Sequence, residues 1–272
     1  MDDHSLPTLK LSGLGQDARR DLLGALRMLN SVHSGLHRPW RMGIMKALDD
    51  PTRWGQYDGL IQDLVREFQE RLHPTRMPPL DWHLIKAMLW TETGGEVKHW
   101  YTNPMQIGLY DDPGIDVVLG GKEKIDLILP PAARQGLSRE AITTDPVFNL
   151  RAGLAYLLNR LALSELRTEA APEAPVVNDV VRPGDTWPRM ASRHRSSVDH
   201  LHALNPTLNT ALQPGQAFRA QCVRTVRVIT GWRDFTPETL ALYNGRGDPM
   251  YAQKIRYVVE LLHLGHLYGL MS

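Results

Sequence analysis

DWHLIKAMLWTETGGEVKHWYTNPMQIG, residues 81–108, is the stretch whose reading decides the fold. Trp82, Ile85, Met88 and Leu89 recur at helical spacing, and Asp81 is placed to cap the first turn. Glu92 falls on the same face, one turn beyond Met88 and Leu89. Gly94 and Gly95 then stop the helix, and a loop follows. A carboxylate at the end of an apolar stripe is badly placed for ionisation. Burial disfavours its charge, and the helix C-terminus carries partial negative charge. Both effects raise its pKa, as a general acid working near neutral pH requires. On position alone, a solvated Glu at a fraying helix end fits as well.

Motifs add to that reading. Leu84 to Gly94, with Glu92-Thr93-Gly94 at its end, resembles the catalytic helix of the lytic transglycosylases and goose-type lysozymes. That family carries Glu-Ser-Gly here and a Met-Gln loop shortly downstream, matched by Met105-Gln106-Ile107-Gly108. A third family block, Tyr-Asn-small-Gly on a late helix, is similar to Tyr243-Asn244-Gly245. The stretch Asp145 to Gly153 also resembles the family's helix after the loop, where Asn-x-x-x-Gly recurs. Two departures stand out. Thr93 replaces the usual Ser, and Asn103-Pro104 replaces a small glycine-containing pair, so that Pro104 removes an N–H and fixes φ. The resemblance implies a peptidoglycan-cleaving enzyme with Glu92 as its single catalytic acid/base. Thr93, Met105, Gln106, Tyr243 and Asn244 would bind substrate, and no cofactor or metal is implied.

The chain has 272 residues, enough for roughly two domains of about 150 residues each. Its 31 basic and 30 acidic residues give a net charge of +1, so nothing global points to nucleic acid. The lone cysteine, Cys222, rules out an internal disulfide. The opening MDDHSLPTLK lacks a basic, then apolar, secretory leader, and no apolar run approaches the roughly 20 residues of a membrane span. Residues 1–14 read as a loose arm. Helices are predicted over Asp17 to Val32, Pro39 to Leu48 and Thr52 to Leu72. Residues 1–75 therefore form an N-terminal helical lobe in which no residue suggests chemistry. The segment 115–129 fits a short helix or a hairpin. Asp145-Pro146 opens a central helix in which Gly153 lets a neighbour approach closely. His263 and His266 lie one turn apart, but with no third ligand they predict no metal.

Glu165 to Pro175, rich in charge and proline, reads as a linker. Beyond it a strand, two helices and a strand follow, with Pro183-Gly184-Asp185-Thr186, Asn205-Pro206 and Pro214-Gly215-Gln216 at the turns. This order resembles the lysin motif (LysM) over about Val176 to Cys222, with Trp187-Pro188 departing from its usual Leu and polar residue. The resemblance implies N-acetylglucosamine binding by Gly184, Asp185, Thr186, Asn205 and Pro206. A module retained for packing would need the same turn residues. Val223 to Thr230 is then a β-rich run that Gly231-Trp232 ends, and the chain returns to the catalytic part with helices opened by Thr236-Pro237 and by Asp248-Pro249, the last carrying Tyr251 as its first apolar position.

The fold expected is therefore α+β, mainly α. A lysozyme-like catalytic domain (76–170 and 223–272) carries an inserted βααβ module (175–222). Two alternatives stay open. A hydrolytic muramidase would use Asp111, Asp112 or Asp116 as a second carboxylate. A non-catalytic adaptor would bind the wall through a dead lysozyme fold. Peptidoglycan strands are the expected partner, with no nucleic acid. Without a secretory leader, the protein would be made in the cytoplasm and reach the periplasm or cell wall by a specialised route. A type VI secretion system or a phage-like particle fits, with an immunity protein or secretion component as further partners.

Overall fold

Apolar residues spaced three and four apart carry most of the chain into helices. In the first unit these are α1 (Gln16–Val32), α2 (Arg38–Met45), α3 (Pro51–Gly55), α4 (Asp58–Leu72), α5 (Trp82–Thr93), α6 (Val97–Trp100), α7 (Gly114–Gly120), α8 (Ile125–Ile128), α9 (Arg139–Thr144) and α10 (Pro146–Leu161). Strand β1 (Ala162–Ala170) and strand β2 (Val177–Val180) follow, then α11 (Trp187–Arg193), α12 (Val198–Leu204), β3 (Ala217–Ala220) and β4 (Val223–Trp232). Helices α13 (Pro237–Leu240) and α14 (Tyr251–Leu267) end the chain. The computed structural model describes residues 6–94, 97–109, 112–208, 211–245 and 247–271. Gly95, Tyr110 and Asp111 lie outside them.

The chain divides into two compact units, residues 1–163 with 231–272, and residues 164–230. In the first, α5 is the central helix and packs chiefly on α14, with α4 on another side. The sequence predicts one apolar stripe on α5, yet Ile85 through Thr91 are buried without a break. A helix surrounded by neighbours needs no polar face, and Lys86 is the one cation accepted there. Its ammonium donates to Asp58 at 2.7 Å, with Trp82 and Trp90 rings beside it. Behind the end of α5, Trp54, Trp90 and Trp100 form an aromatic cluster with ring centroids 4.4 and 5.3 Å apart.

Several expectations need correction. Residues 1–75, expected as a helical lobe packed on the catalytic part, do pack there, α4 on α5 and α1 on α14, but within one compact unit and not as a unit of their own. The N-terminal arm is docked over its later part: Leu9 and Leu11 are buried, and the Lys10 and Leu11 amides donate to the Asp49 carboxylate. The predicted helix over residues 52–72 is two helices, with a break after Gly55. The ambiguous segment 115–129 is helical, as α7 and α8.

The linker also fails as a linker. Residues up to Ala170 form β1, paired with β4 in a two-stranded sheet. Cross-strand polar pairs replace the missing apolar face: Arg224 binds Glu169 at 2.7 Å and Arg227 donates to Ser164 at 3.3 Å. Such a solvated strand has the composition of a linker, which is why it was misread. Residues 223–230 accordingly belong with the smaller unit, and the return to the helical unit comes at Gly231.

Within the smaller unit the βααβ order holds. Strands β2 and β3 pair antiparallel, with Val177 opposite Ala220 and Val180 opposite Ala217. Val181, Trp187, Met190, Ala191, Leu201, Phe218 and Ala220 make its core. Pro188 falls in the first turn of α11, where a missing N–H costs nothing.

Candidate active site

The site is built around the end of α5. Asp81 caps its start by accepting the His83 amide at 2.9 Å. Gly94, at φ 61°, ends it in the left-handed conformation that glycine tolerates best. This fixes Glu92 in the last turn, beside a cavity of about 160 Å³ lined by Glu92, Met105, Gln106, Leu109, Asp112, Tyr156, Tyr243 and Asn244. A larger hollow of about 820 Å³ reaches Gly94 from α2 and the residues after it but does not contain the carboxyl. The smaller one is the candidate site, since it alone of the two is lined by Glu92, whose pKa burial raises.

Glu92 is partly exposed, yet burial pushes its carboxyl up to about 7. The Tyr251 hydroxyl donates to Oε1 at 2.5 Å and opposes that shift, because it favours the anion. The negative charge of Asp112 pushes in the same direction as burial, and Lys254 pushes against it. Lys254 is itself paired with Asp248 at 2.7 Å, which limits its help. Tyr251 is buried beside the acid, so its own hydroxyl holds its proton far above the ordinary range. It is therefore a fixed donor. With Oε1 taken by a donor, a proton on Glu92 sits on Oε2, which has no partner among the described residues.

The Met105-Gln106 loop is held from three sides. The Met105 amide donates to Asn149 Oδ1 at 2.8 Å, and the Tyr243 hydroxyl donates to the Met105 carbonyl at 2.8 Å. The Asn149 amide in turn donates to Ile142 O at 2.8 Å, which fixes its orientation. Gly153 lies under the same loop, and a Cβ there would stand 2.7 Å from Met105 Cβ. Gln106 adopts φ 52° and turns its side-chain amide onto the Glu92 carbonyl oxygen. Asp112 closes the far side: Oδ2 accepts the Gly108 amide and Oδ1 the Gly114 amide, both at 2.9 Å.

Six of the residues singled out in the sequence meet here: Glu92, Met105, Gln106, Asp112, Tyr243 and Asn244. Thr93 does not. Its hydroxyl donates back to Leu89 O at 2.9 Å and is buried in the helix. Gln106, expected to face the sugar, has its amide donor engaged by the backbone of α5. Asp116 is also elsewhere, paired with Arg139 at 2.6 Å in an exposed position. Tyr251, Tyr156 and Asn149 were missed as site residues. Tyr251 reads in the sequence only as the first apolar position of the last helix. Asn149 sits within the Asn-x-x-x-Gly block and carries that signal.

In the smaller unit the expected glycan-binding residues hold the fold together. The Asn205 amide donates to Leu201 O and Arg219 O at 2.7 Å, and its Oδ1 accepts the Arg219 amide at 2.7 Å. Asp185 forms a two-pronged pair with Arg193 and accepts the Arg182 amide, which keeps its carboxyl below the usual range. Thr186 caps α11, and Gly184 turns at φ 77°. Pro206 is exposed. Among the described residues no group of three or more His, Cys, Asp or Glu is placed to hold a metal. His263 and His266 each face the His83 ring, at centroid distances of 6.5 and 5.2 Å. Nor is any described helix long and apolar enough to cross a membrane.

The chain matches no protein-family model, no curated protein and no solved structure.

Proposed function

We propose that the chain is a peptidoglycan-cleaving lytic transglycosylase in which Glu92 is the acid/base. The observation that carries this reading is a glutamic acid at the end of a buried helix, lining a cleft with a tyrosine hydroxyl on its carboxyl, where burial pushes its pKa up to about 7. An acid that must give and then recover one proton works best with its pKa near the ambient pH. In the proposed reaction Glu92 Oε2 passes its proton to the oxygen joining N-acetylmuramic acid to N-acetylglucosamine. The C1–O bond breaks, and the acetamido oxygen of the same sugar bonds to C1 in its place. The Glu92 carboxylate then takes the proton of the 6-hydroxyl, whose oxygen displaces the acetamido oxygen at C1. A 1,6-anhydro ring forms and Glu92 is again protonated. Tyr251 holds the carboxyl in orientation, and Tyr243 with Asn149 holds the loop against the cleft.

One observation favours a second reading, a hydrolytic muramidase. Asp112 lines the same cavity and is a second carboxylate of the kind a water-activating base requires. Both of its oxygens already accept backbone amides, which argues for an anchor rather than a base. Mass spectrometry of digested, purified sacculi separates the two. Anhydro ends support the transglycosylase, reducing ends the hydrolase. No products at all, from a folded protein, would leave a wall-binding adaptor. Delivery through a specialised secretion machine or phage-like particle, with its immunity or docking partner, is part of the same proposal. Expression directed to the periplasm is then expected to lyse cells, while cytoplasmic expression spares them. Equal harm from both would reject wall cleavage as the cause.

A further inference from the structure

The hollow of about 820 Å³ on the other side of the α5 terminus plays no part in the chemistry above. It is lined by Lys10, His37, Trp40, Lys46, Asp49, Asp50 and Arg53 among others, and Gly94 forms its inner end. Two hollows thus flank one helix end, with Glu92 on one side and Gly94 on the other.

Its hydrogen-bonding groups are unequally engaged. The Asp49 carboxylate accepts the amides of Lys10 and Leu11. The Asp50 carboxylate accepts the Arg53 amide and pairs with the Arg53 guanidinium. The acids of the groove are therefore occupied by the protein itself. The exposed ammonium groups of Lys10 and Lys46 have no carboxylate partner among the described residues. The Trp40 indole N–H, packed beside Gly94, also has none. What the groove still offers is donors and positive charge. Such a surface suits a ligand rich in carboxylate and carbonyl oxygens.

We propose that this groove binds an acidic peptide, namely the carboxylate-bearing stem peptide of the wall strand. The identity of that peptide rests on the transglycosylase reading. In such a substrate the peptide hangs from the same muramic acid ring whose C1 reacts, so it must leave the cleft close to the catalytic carboxyl. A donor-rich hollow two residues along the chain from Glu92 is where it can go.

The test uses the full-length Glu92→Gln variant, which leaves the groove intact. The soluble tripeptide L-Ala-γ-D-Glu-meso-diaminopimelic acid is titrated in while the indole N–H signals are followed by nuclear magnetic resonance. Saturable shifts of the Trp40 signal are expected, weakening as salt is raised. Charge reversal by Lys10→Glu with Lys46→Glu is expected to weaken binding at least tenfold, in a variant whose melting curve matches its parent. No movement of the Trp40 signal, or binding indifferent to both salt and charge reversal, overturns the proposal. The enzyme assignment fails separately, through wild-type protein that cleaves no sacculi. Peptide binding without cleavage keeps the groove and removes the enzyme; cleavage with a silent groove does the reverse.

Discussion

At the scale of single residues, Glu92 is where function and stability pull apart. Its carboxyl titrates near 4.5 in an unfolded chain and at about 7 in the folded one. Below the first value both states are protonated and the site costs nothing. Between the two, the unfolded chain ionises and the folded one does not, so stability falls as pH rises. Above the second, the loss levels off at on the order of 3 kcal/mol, at about 1.4 kcal/mol for each tenfold. Glu92→Gln is therefore expected to match its parent in denaturant melts at pH 4 and to exceed it at pH 8. Under the proposed function the same change is expected to remove a proton transfer worth on the order of 10²–10⁴ in rate, read as loss of sacculus digestion. Tyr251→Phe makes a subtler claim. It deletes the donor that favours the anion, so the Glu92 pKa rises further. The falling alkaline limb of the pH–rate profile is expected to move to higher pH, an effect that simple loss of packing would not produce.

At the scale of elements, the site depends on a loop clamped between α10 and the start of α14's approach. Gly153→Ala puts a methyl within 2.7–3.0 Å of Met105 side-chain atoms. Either the loop or the helix must yield, at a cost of roughly 1–3 kcal/mol. A lowered melting temperature together with weakened glycan cleavage is the expected outcome; unchanged activity would mean the loop is free to move. This is also the scale at which the sequence speaks most unevenly. Asp81, Gly94 and the apolar spacing between them announce α5 to the residue, because capping and helix termination are local chemistry. The polar partners of Glu92 are not local. Tyr251 lies 159 positions along the chain from the carboxyl it touches. Nothing in its neighbourhood distinguishes it from Tyr257, which faces the core and meets Asn30 instead. Thr93 failed for the opposite reason. It matches a family block, but its hydroxyl is captured by its own helix, as hydroxyls near helix ends often are.

At the scale of the whole molecule, the two units answer to separate cores. The smaller one gathers Trp187, Met190, Leu201 and Phe218 around its own centre. Leu201→Ala is expected to cost roughly 2–5 kcal/mol there. Amide exchange should quicken across residues 176–222 while α5 and α14 keep their protection. Equal loss in both would mean that the units unfold as one. The βααβ order was legible because its turns carry Pro-Gly, Asn-Pro and capping residues at fixed places. Its outer boundary was not, because β1 has the charge of a linker and the β-rich run of β4 does not itself say which unit it pairs with.

That paired ribbon has a further consequence. Arg233 donates its amide to the Leu161 carbonyl at 3.0 Å, so the outgoing and returning strands stand side by side where they join the helices. Seen from the helical unit, everything between them is a single hairpin, whatever its length. Excising it and closing the gap with a tight turn would ask almost nothing of the helices, and so would exchanging it for a different cargo. With such an attachment point, the smaller unit can change while the helical one is left as it is.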